Sequence, residues 1–193
     1  MKKTICFLFV FFLLITNVYA NNEEKLIENA NSGILIEASS GEILFEKKKD
    51  EKVAVASMTK MVAQIIILEN IENGNLSWDE KIKVSSNAAG MGGSQIWLQP
   101  GEEMSVRDLM KGITMASAND ATVALAERIA GTEEAFVKLM NDKVKELGLK
   151  NTHFVNPTGL DEENHYSSAY DMAMIAKELL NHEQILEFSS VYE

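Results

Sequence analysis

Residues 53–71 constrain the fold of this chain most. Val53-Ala54-Val55-Ala56-Ser57-Met58-Thr59-Lys60-Met61-Val62 leads into Ile65, Ile66, Ile67, Leu68 and Ile71, and the run stops at Asn73-Gly74. It has helical length, no proline, and apolar side chains on nearly every side, which predicts a buried helix. A helix of that kind must be covered on all sides, so the remaining elements have to pack around it.

One serine and one lysine interrupt the apolar run, three residues apart. On a helix, positions i and i+3 share a face, so the hydroxyl of Ser57 and the amine of Lys60 are expected to project together. A serine hydroxyl is a weak nucleophile that needs a neighbouring base. A lysine can be that base when apolar surroundings and the positive end of a helix dipole lower its pKa. A single Ser-x-x-Lys match is also what a helix N-cap followed by a solvated lysine looks like. The rest of the chain has to decide between the two.

The N-terminus has a different character. Lys2 and Lys3 precede an apolar run from Ile5 to Ile15, and Val18-Tyr19-Ala20 comes before the polar Asn21-Asn22-Glu23-Glu24. This pattern predicts a signal peptide over residues 1–20, cut after Ala20, and places the mature chain from residue 21 outside the cytoplasm. An uncleaved anchor is disfavoured because the apolar run is short for a membrane span. The single cysteine, Cys6, lies inside this leader. Residues 21–193 therefore offer no disulfide, thiol nucleophile or thiolate metal site. The 18 basic and 29 acidic residues give −11, and losing Lys2 and Lys3 leaves −13. That balance argues against nucleic acid or anionic lipid as partner. The acids are scattered, and His153, His165 and His182 lack metal-ligand spacing.

After the leader, Ile34–Ala38 and Glu42–Glu46 predict a β-hairpin around Ser39-Ser40-Gly41. Residues 76–104 are less regular. They contain an alternating Lys81-Ile82-Lys83-Val84 strand and a glycine-rich stretch, Ala89 to Ser94, with no phosphate-loop lysine after it. That stretch is expected to be a flexible connection. Helices follow. Ser105 with Asp108 forms a capping box ahead of Val106, Leu109, Met110 and Ile113. A second helix starts near Asn119-Asp120 and ends at Ala130-Gly131. Thr132 opens a third that stops at Gly148, and Ser168 with Asp171 opens a fourth.

Between the first two of these helices, Ser117-Ala118-Asn119 presents a hydroxyl and an amide in a tight turn. Capping alone could explain it. Ser85-Ser86-Asn87 offers the same spacing, but it has an irregular setting and no expected following helix, so Ser117 and Asn119 are preferred.

Four stretches together resemble a known family. They are Ala56-Ser57-Met58-Thr59-Lys60-Met61, Ser117-Ala118-Asn119-Asp120-Ala121, Gly148-Leu149-Lys150-Asn151-Thr152-His153-Phe154, and Tyr166-Ser167-Ser168 with Asp171-Met172-Ala173. They look like the low-molecular-mass penicillin-binding proteins, and more narrowly the serine-type D-alanyl-D-alanine carboxypeptidases. The resemblance runs from about Ile34 to Leu180. It implies an α/β (α+β) fold of the β-lactamase/DD-peptidase-like transpeptidase type. By resemblance, Ser57 is the acylated nucleophile and Lys60 the base. Ser117 relays a proton, and Asn119 binds the substrate backbone or orients Lys60. The Ser57 N–H would be one oxyanion donor. The implied substrate is a peptidoglycan stem peptide ending in D-Ala-D-Ala, with β-lactams as inhibitors and no metal or organic cofactor.

The third motif of the family, Lys-Thr/Ser-Gly on a later strand, does not occur in this sequence. Pro157-Thr158-Gly159 lacks the lysine and sits in a different region. Residues 21–193 are therefore expected to form an N-terminal part of such a domain, with later sheet strands, and any C-terminal membrane anchor, beyond it. Such a part is expected to have little activity alone. Two other readings remain in view. A class A β-lactamase needs a glutamate beyond the second motif, and Leu149–Leu160 contains no acid. A non-catalytic envelope protein that binds cell-wall peptide would keep the fold without the chemistry.

Overall fold

The structure is a computed structural model that describes residues 27–190. The signal peptide expected over residues 1–20, with Cys6, lies outside the described residues. Strands β1 (Gly33–Ile36) and β2 (Ile43–Lys47) form the expected antiparallel hairpin, with Gly33 opposite Lys47 and Leu35 opposite Phe45. A 3-10 turn, Ala56–Thr59, then runs directly into helix α1, Lys60–Glu72. The Ser57 stretch is thus a tighter turn than the predicted α-helix, and Ser57 is not an N-cap. Helix α1 ends at Asn73, whose N–H donates to the Glu69 carbonyl at 2.9 Å, and Gly74 follows with φ of +74°.

Val62, Ala63, Ile65, Ile66, Ile67 and Leu68 of α1 are all buried. Two further strands, β3 (Lys81–Lys83) and β4 (Glu103–Ser105), pair antiparallel, with Ile82 opposite Met104. β4 carries no period-2 pattern of its own, and its three residues are ordered by this pairing. Between them lies the one-turn helix α2, Ser86–Ala89. Helices α3 (Val106–Ala116), α4 (Asn119–Ala130), α5 (Glu133–Glu146) and α6 (Ala169–Leu180) follow, and a short α7, Ile185–Ser189, was not expected. The predicted caps form. Ser105, Thr132 and Ser168 accept from the N–H groups of Asp108, Ala135 and Asp171. Helices α4, α5 and α6 pack around α1, and β1 rests on α6. Phe136, Met140, Ile175 and Leu125 close the core around the central helix.

Ser85-Ser86-Asn87 departs from expectation, because a helix does follow it. Ser85 is the N-cap of α2 and accepts from Ala88 N–H, while Asn87 Nδ2 donates to Glu127 at 2.9 Å. The glycine-rich stretch is also held rather than free. Asn119 N–H donates to the Ser94 carbonyl at 2.7 Å, and Asn119 Nδ2 to the Gly92 carbonyl at 2.7 Å. Among the described residues no helix is long and apolar enough to cross a membrane.

A buried carboxylate fixes the next part of that loop. Asp120, fully buried, accepts from Ile96 N–H at 3.2 Å, Leu98 N–H at 3.0 Å and Ala121 N–H at 2.9 Å. The pinned segment holds Trp97 in the left-handed region, with φ of +64° and its side chain exposed. Asp120→Ala strands these donors in the interior, so we expect it to destabilise the protein by about 2–4 kcal/mol, read from the urea unfolding midpoint. An unchanged midpoint would mean that the loop is held by something else.

Candidate active site

The 3-10 turn places the Ser57 side chain at the surface and the Lys60 side chain inside. Lys60 is 3% exposed. Its Nζ donates to Ser57 Oγ at 3.2 Å and to the Thr158 carbonyl at 2.7 Å. Burial pulls the Lys60 pKa down from its ordinary 10.5 to about 8. An amine with that pKa is partly unprotonated near neutral pH and can take a proton from a hydroxyl beside it. The first residue of the 3-10 turn is strained, since Ala56 has φ of +45°.

Ser117 and Asn119 occupy the bend between α3 and α4. Ser117 ends α3 in the left-handed conformation, with φ of 54°. Its Oγ is buried and has no protein partner among the described residues, and the same holds for Asn119 Oδ1. Asn119 Nδ2 donates to the Gly92 carbonyl, while its Oδ1 acceptor is unpartnered among the described residues.

The stretch from Gly148 to Ser167, read as irregular, forms the wall between these two motifs. Val53 and Ser167 exchange backbone hydrogen bonds at 2.8 and 3.0 Å, and His153 and Tyr166 do so at 2.9 and 3.0 Å. Pro157-Thr158-Gly159 therefore lies beside the Ser57 turn, although it lacks the lysine of the third motif. Gly159 has φ of +82°, and a Cβ there would sit 1.9 Å from the Ala56 carbonyl oxygen. Only glycine lets the two backbones approach so closely. On the far side, a Cβ on Gly93 would lie 2.8 Å from Asn119 Nδ2 and 3.5 Å from Leu160. One loop thus touches the Ser57 turn, the Lys60 amine and the segment wrapped around Asn119.

Sequence reasoning missed three of these groups. The Thr158 carbonyl is backbone and leaves no side-chain signature. Gly159 has one signal, a Pro-x-Gly pattern that implies a turn. His165 belongs to no motif, yet its Nε2 lies 2.8 Å from Thr59 Oγ1 and its Nδ1 accepts from Val155 N–H at 3.2 Å. Accepting at Nδ1 requires the neutral ring with its proton on Nε2, which donates to Thr59.

The whole chain can now be compared with known proteins. A family profile described as D-alanyl-D-alanine carboxypeptidase, peptidase S11, matches residues 19–193. The chain belongs to this family, and its fold is the DD-peptidase type. It is 50% identical over 200 aligned positions to the D-alanyl-D-alanine carboxypeptidase DacF of Bacillus subtilis, covering 100% of this chain and 51% of that one. It is similar in structure to the D-alanyl-D-alanine carboxypeptidase DacD of Francisella tularensis. There the TM-score is 0.84 at 39% identity, over 89% of this chain and 41% of that one. A penicillin-binding protein D2 from Listeria monocytogenes, solved with ampicillin bound, gives a TM-score of 0.75 at 31% identity, over 84% of this chain and 66% of that one. The chain spans about half the length of the curated relative it matches over its full extent.

Burial holds the His165 pKa below the ordinary 6.5. The unfolded chain then binds more protons than the folded one just below pH 6.5. The stability that depends on neutral His165 is complete above that pH and is lost as the pH falls. We expect the drop in melting temperature between pH 7.5 and pH 5 to be smaller in His165→Gln than in the wild type. Parallel melting curves for the two proteins would remove His165 from the acid sensitivity.

Proposed function

We propose that this chain carries the nucleophile, base and proton-relay portion of a serine D-alanyl-D-alanine carboxypeptidase acting on peptidoglycan stem peptides. One observation carries the reading. A surface serine hydroxyl lies 3.2 Å from a buried lysine amine whose pKa is lowered to about 8. Membership of the family and the likeness to an ampicillin-bound relative support it.

In this reading Ser57 Oγ attacks the carbonyl of the penultimate D-Ala, and neutral Lys60 takes the hydroxyl proton. The Ser57 N–H stabilises the developing oxyanion. Ser117 passes a proton to the amine of the departing D-Ala as the amide C–N bond breaks. Asn119, with its Oδ1 unpartnered, accepts from the substrate backbone. Water then cleaves the Ser57 ester and returns the proton through the same groups. A β-lactam enters by the same attack and remains as an ester on Ser57. No cofactor takes part. The leader over residues 1–20 exports the chain to the cell envelope, where that substrate lies.

We expect fluorescent penicillin to label the native gene product at one site, with Ser57→Ala abolishing the label. Lys60→Ala lowers the acylation rate by about 10²–10⁴-fold, the usual contribution of a general base. The wild-type acylation rate rises with pH through about 8 as Lys60 loses its proton. A flat profile across that range would remove Lys60 as the base.

The 193 residues contain no Lys-Thr-Gly or Lys-Ser-Gly. In the family that motif supplies a cation for the substrate carboxylate and the second oxyanion donor. We therefore expect this chain, expressed by itself, to acylate slowly and to release little D-Ala from a D-Ala-D-Ala peptide. Stable labelling together with D-Ala release at the rate of a complete family member would overturn that expectation.

A further inference from the structure

The Thr158 carbonyl is the shorter of the two contacts to Lys60 Nζ, at 2.7 Å against 3.2 Å for Ser57 Oγ. A backbone carbonyl is only as well placed as the loop that carries it. This loop spans Asn156 to Leu160, belongs to no helix or strand, and is tied together by one side chain. Asn156 is 8% exposed. Its Oδ1 accepts from Thr158 N–H at 3.2 Å, Thr158 Oγ1 at 3.1 Å and Gly159 N–H at 2.8 Å. Its Nδ2 donates to the Leu160 carbonyl at 2.9 Å and to Glu162 Oε2 at 3.3 Å. A single amide therefore satisfies three donors and two acceptors, all within six residues of itself.

Few side chains could do this. The acceptor contacts to residues two and three ahead are those of an Asx turn, which aspartate could also make. The two donor contacts require the amide NH₂. Gly159 completes the wedge, since its missing Cβ lets the loop press against the Ala56 carbonyl. The Thr158 and Gly159 N–H groups are spent on Asn156, while the Thr158 carbonyl accepts from the lysine.

We infer that Asn156 is a positioning residue for the reaction. Through the Thr158 carbonyl it holds the Lys60 amine at the distance from Ser57 Oγ that proton transfer needs. The inference rests on the reading of Ser57 and Lys60 as nucleophile and base. Asn156 acts through Lys60 and is not assigned any contact with the substrate. Errors of about 1 Å in placing a catalytic group cost on the order of 10²-fold in rate, so loosening this loop is felt in the chemical step.

The test separates the acylation rate constant from ligand binding in the native gene product, using fluorescent penicillin under single-turnover conditions. We expect Asn156→Ala to lower the acylation rate constant by about 10–100-fold with the dissociation constant for the penicillin unchanged. Asn156→Ser, whose hydroxyl accepts from the same loop N–H groups more weakly, recovers part of that loss. Circular dichroism checks that each variant is folded. If Asn156→Ala does not fold, Asn156→Ser alone carries the test and must show a slower rate constant with unchanged binding. Equal rate constants in the wild type and the folded variants would overturn the inference while leaving the proposed function intact. So would a loss confined to binding, or a serine variant as slow as the alanine one. A wild-type protein that takes no label at all would instead defeat the proposed function, and this inference with it.

Discussion

Lys60 carries an amine into the interior of an otherwise apolar packing, and the arrangement around it follows from what that amine requires. A charged ammonium is disfavoured there by lost hydration and by the positive end of α1, whose first residue it is. Two oxygens, Ser57 Oγ and the Thr158 carbonyl, offset part of that penalty. What remains uncompensated appears as the fall in pKa to about 8. The same imbalance that makes Lys60 costly in the core is what the proposed function uses, since an amine with a lowered pKa can act as a base. Full solvation would return it to an ordinary lysine, and a carboxylate partner would hold its proton.

The fold holds that imbalance from two directions. Helix α1 supplies the rigid side, since it is buried all round and has no freedom to turn its first residue outward. The Gly148–Ser167 wall supplies the other. It is a long connection without a helix of its own, so its order comes from ties to fixed elements. Asp171 Oδ2, in the first turn of α6, accepts from Asn151 N–H and Thr152 Oγ1, both at 2.7 Å. Asn141, on α5, donates to the Phe154 carbonyl at 2.8 Å and accepts from Phe154 N–H at 3.0 Å. His165 binds the Ser57 turn through Thr59. The helices that cover α1 thus also aim the loop that meets its first residue, so packing of the core and placement of the Lys60 amine are one problem.

The sequence was legible where a side chain announces its own local role. A long apolar run without proline marked α1, periodicity marked the helices around it, and Ser105, Thr132 and Ser168 marked helix starts by the hydrogen bonds their hydroxyls make. The hairpin was visible from its two short apolar strands and the turn between them. Strand β4 was not, because three residues held by pairing with Lys81–Lys83 carry no period of their own. The glycine-rich stretch read as flexible because glycine is permissive, yet the Asn119 amide and backbone hold it in place. At the site, Ser57, Lys60, Ser117 and Asn119 were named from their spacing and from the resemblance. The Thr158 carbonyl and the close contact of Gly159 with Ala56 depend on residues about a hundred positions apart, and no local pattern encodes them.

Part of the strain and unpaired polarity of the folded chain lies at the same place. Ala56 and Ser117 both occupy the left-handed region, and each adjoins or belongs to a site motif. Ser117 Oγ and Asn119 Oδ1 are buried without a protein partner among the described residues. An unsatisfied buried polar group typically costs about 1–3 kcal/mol, and strained non-glycine residues cost about 1–3 kcal/mol each. Folding alone favours none of these features, since a capped bend with an ordinary backbone would join α3 to α4 at lower cost. In the proposed reading they are groups left for a ligand. An acceptor and a hydroxyl that the protein leaves unpaired can be satisfied by a ligand's own amide, and the favourable exchange then falls at binding rather than at folding.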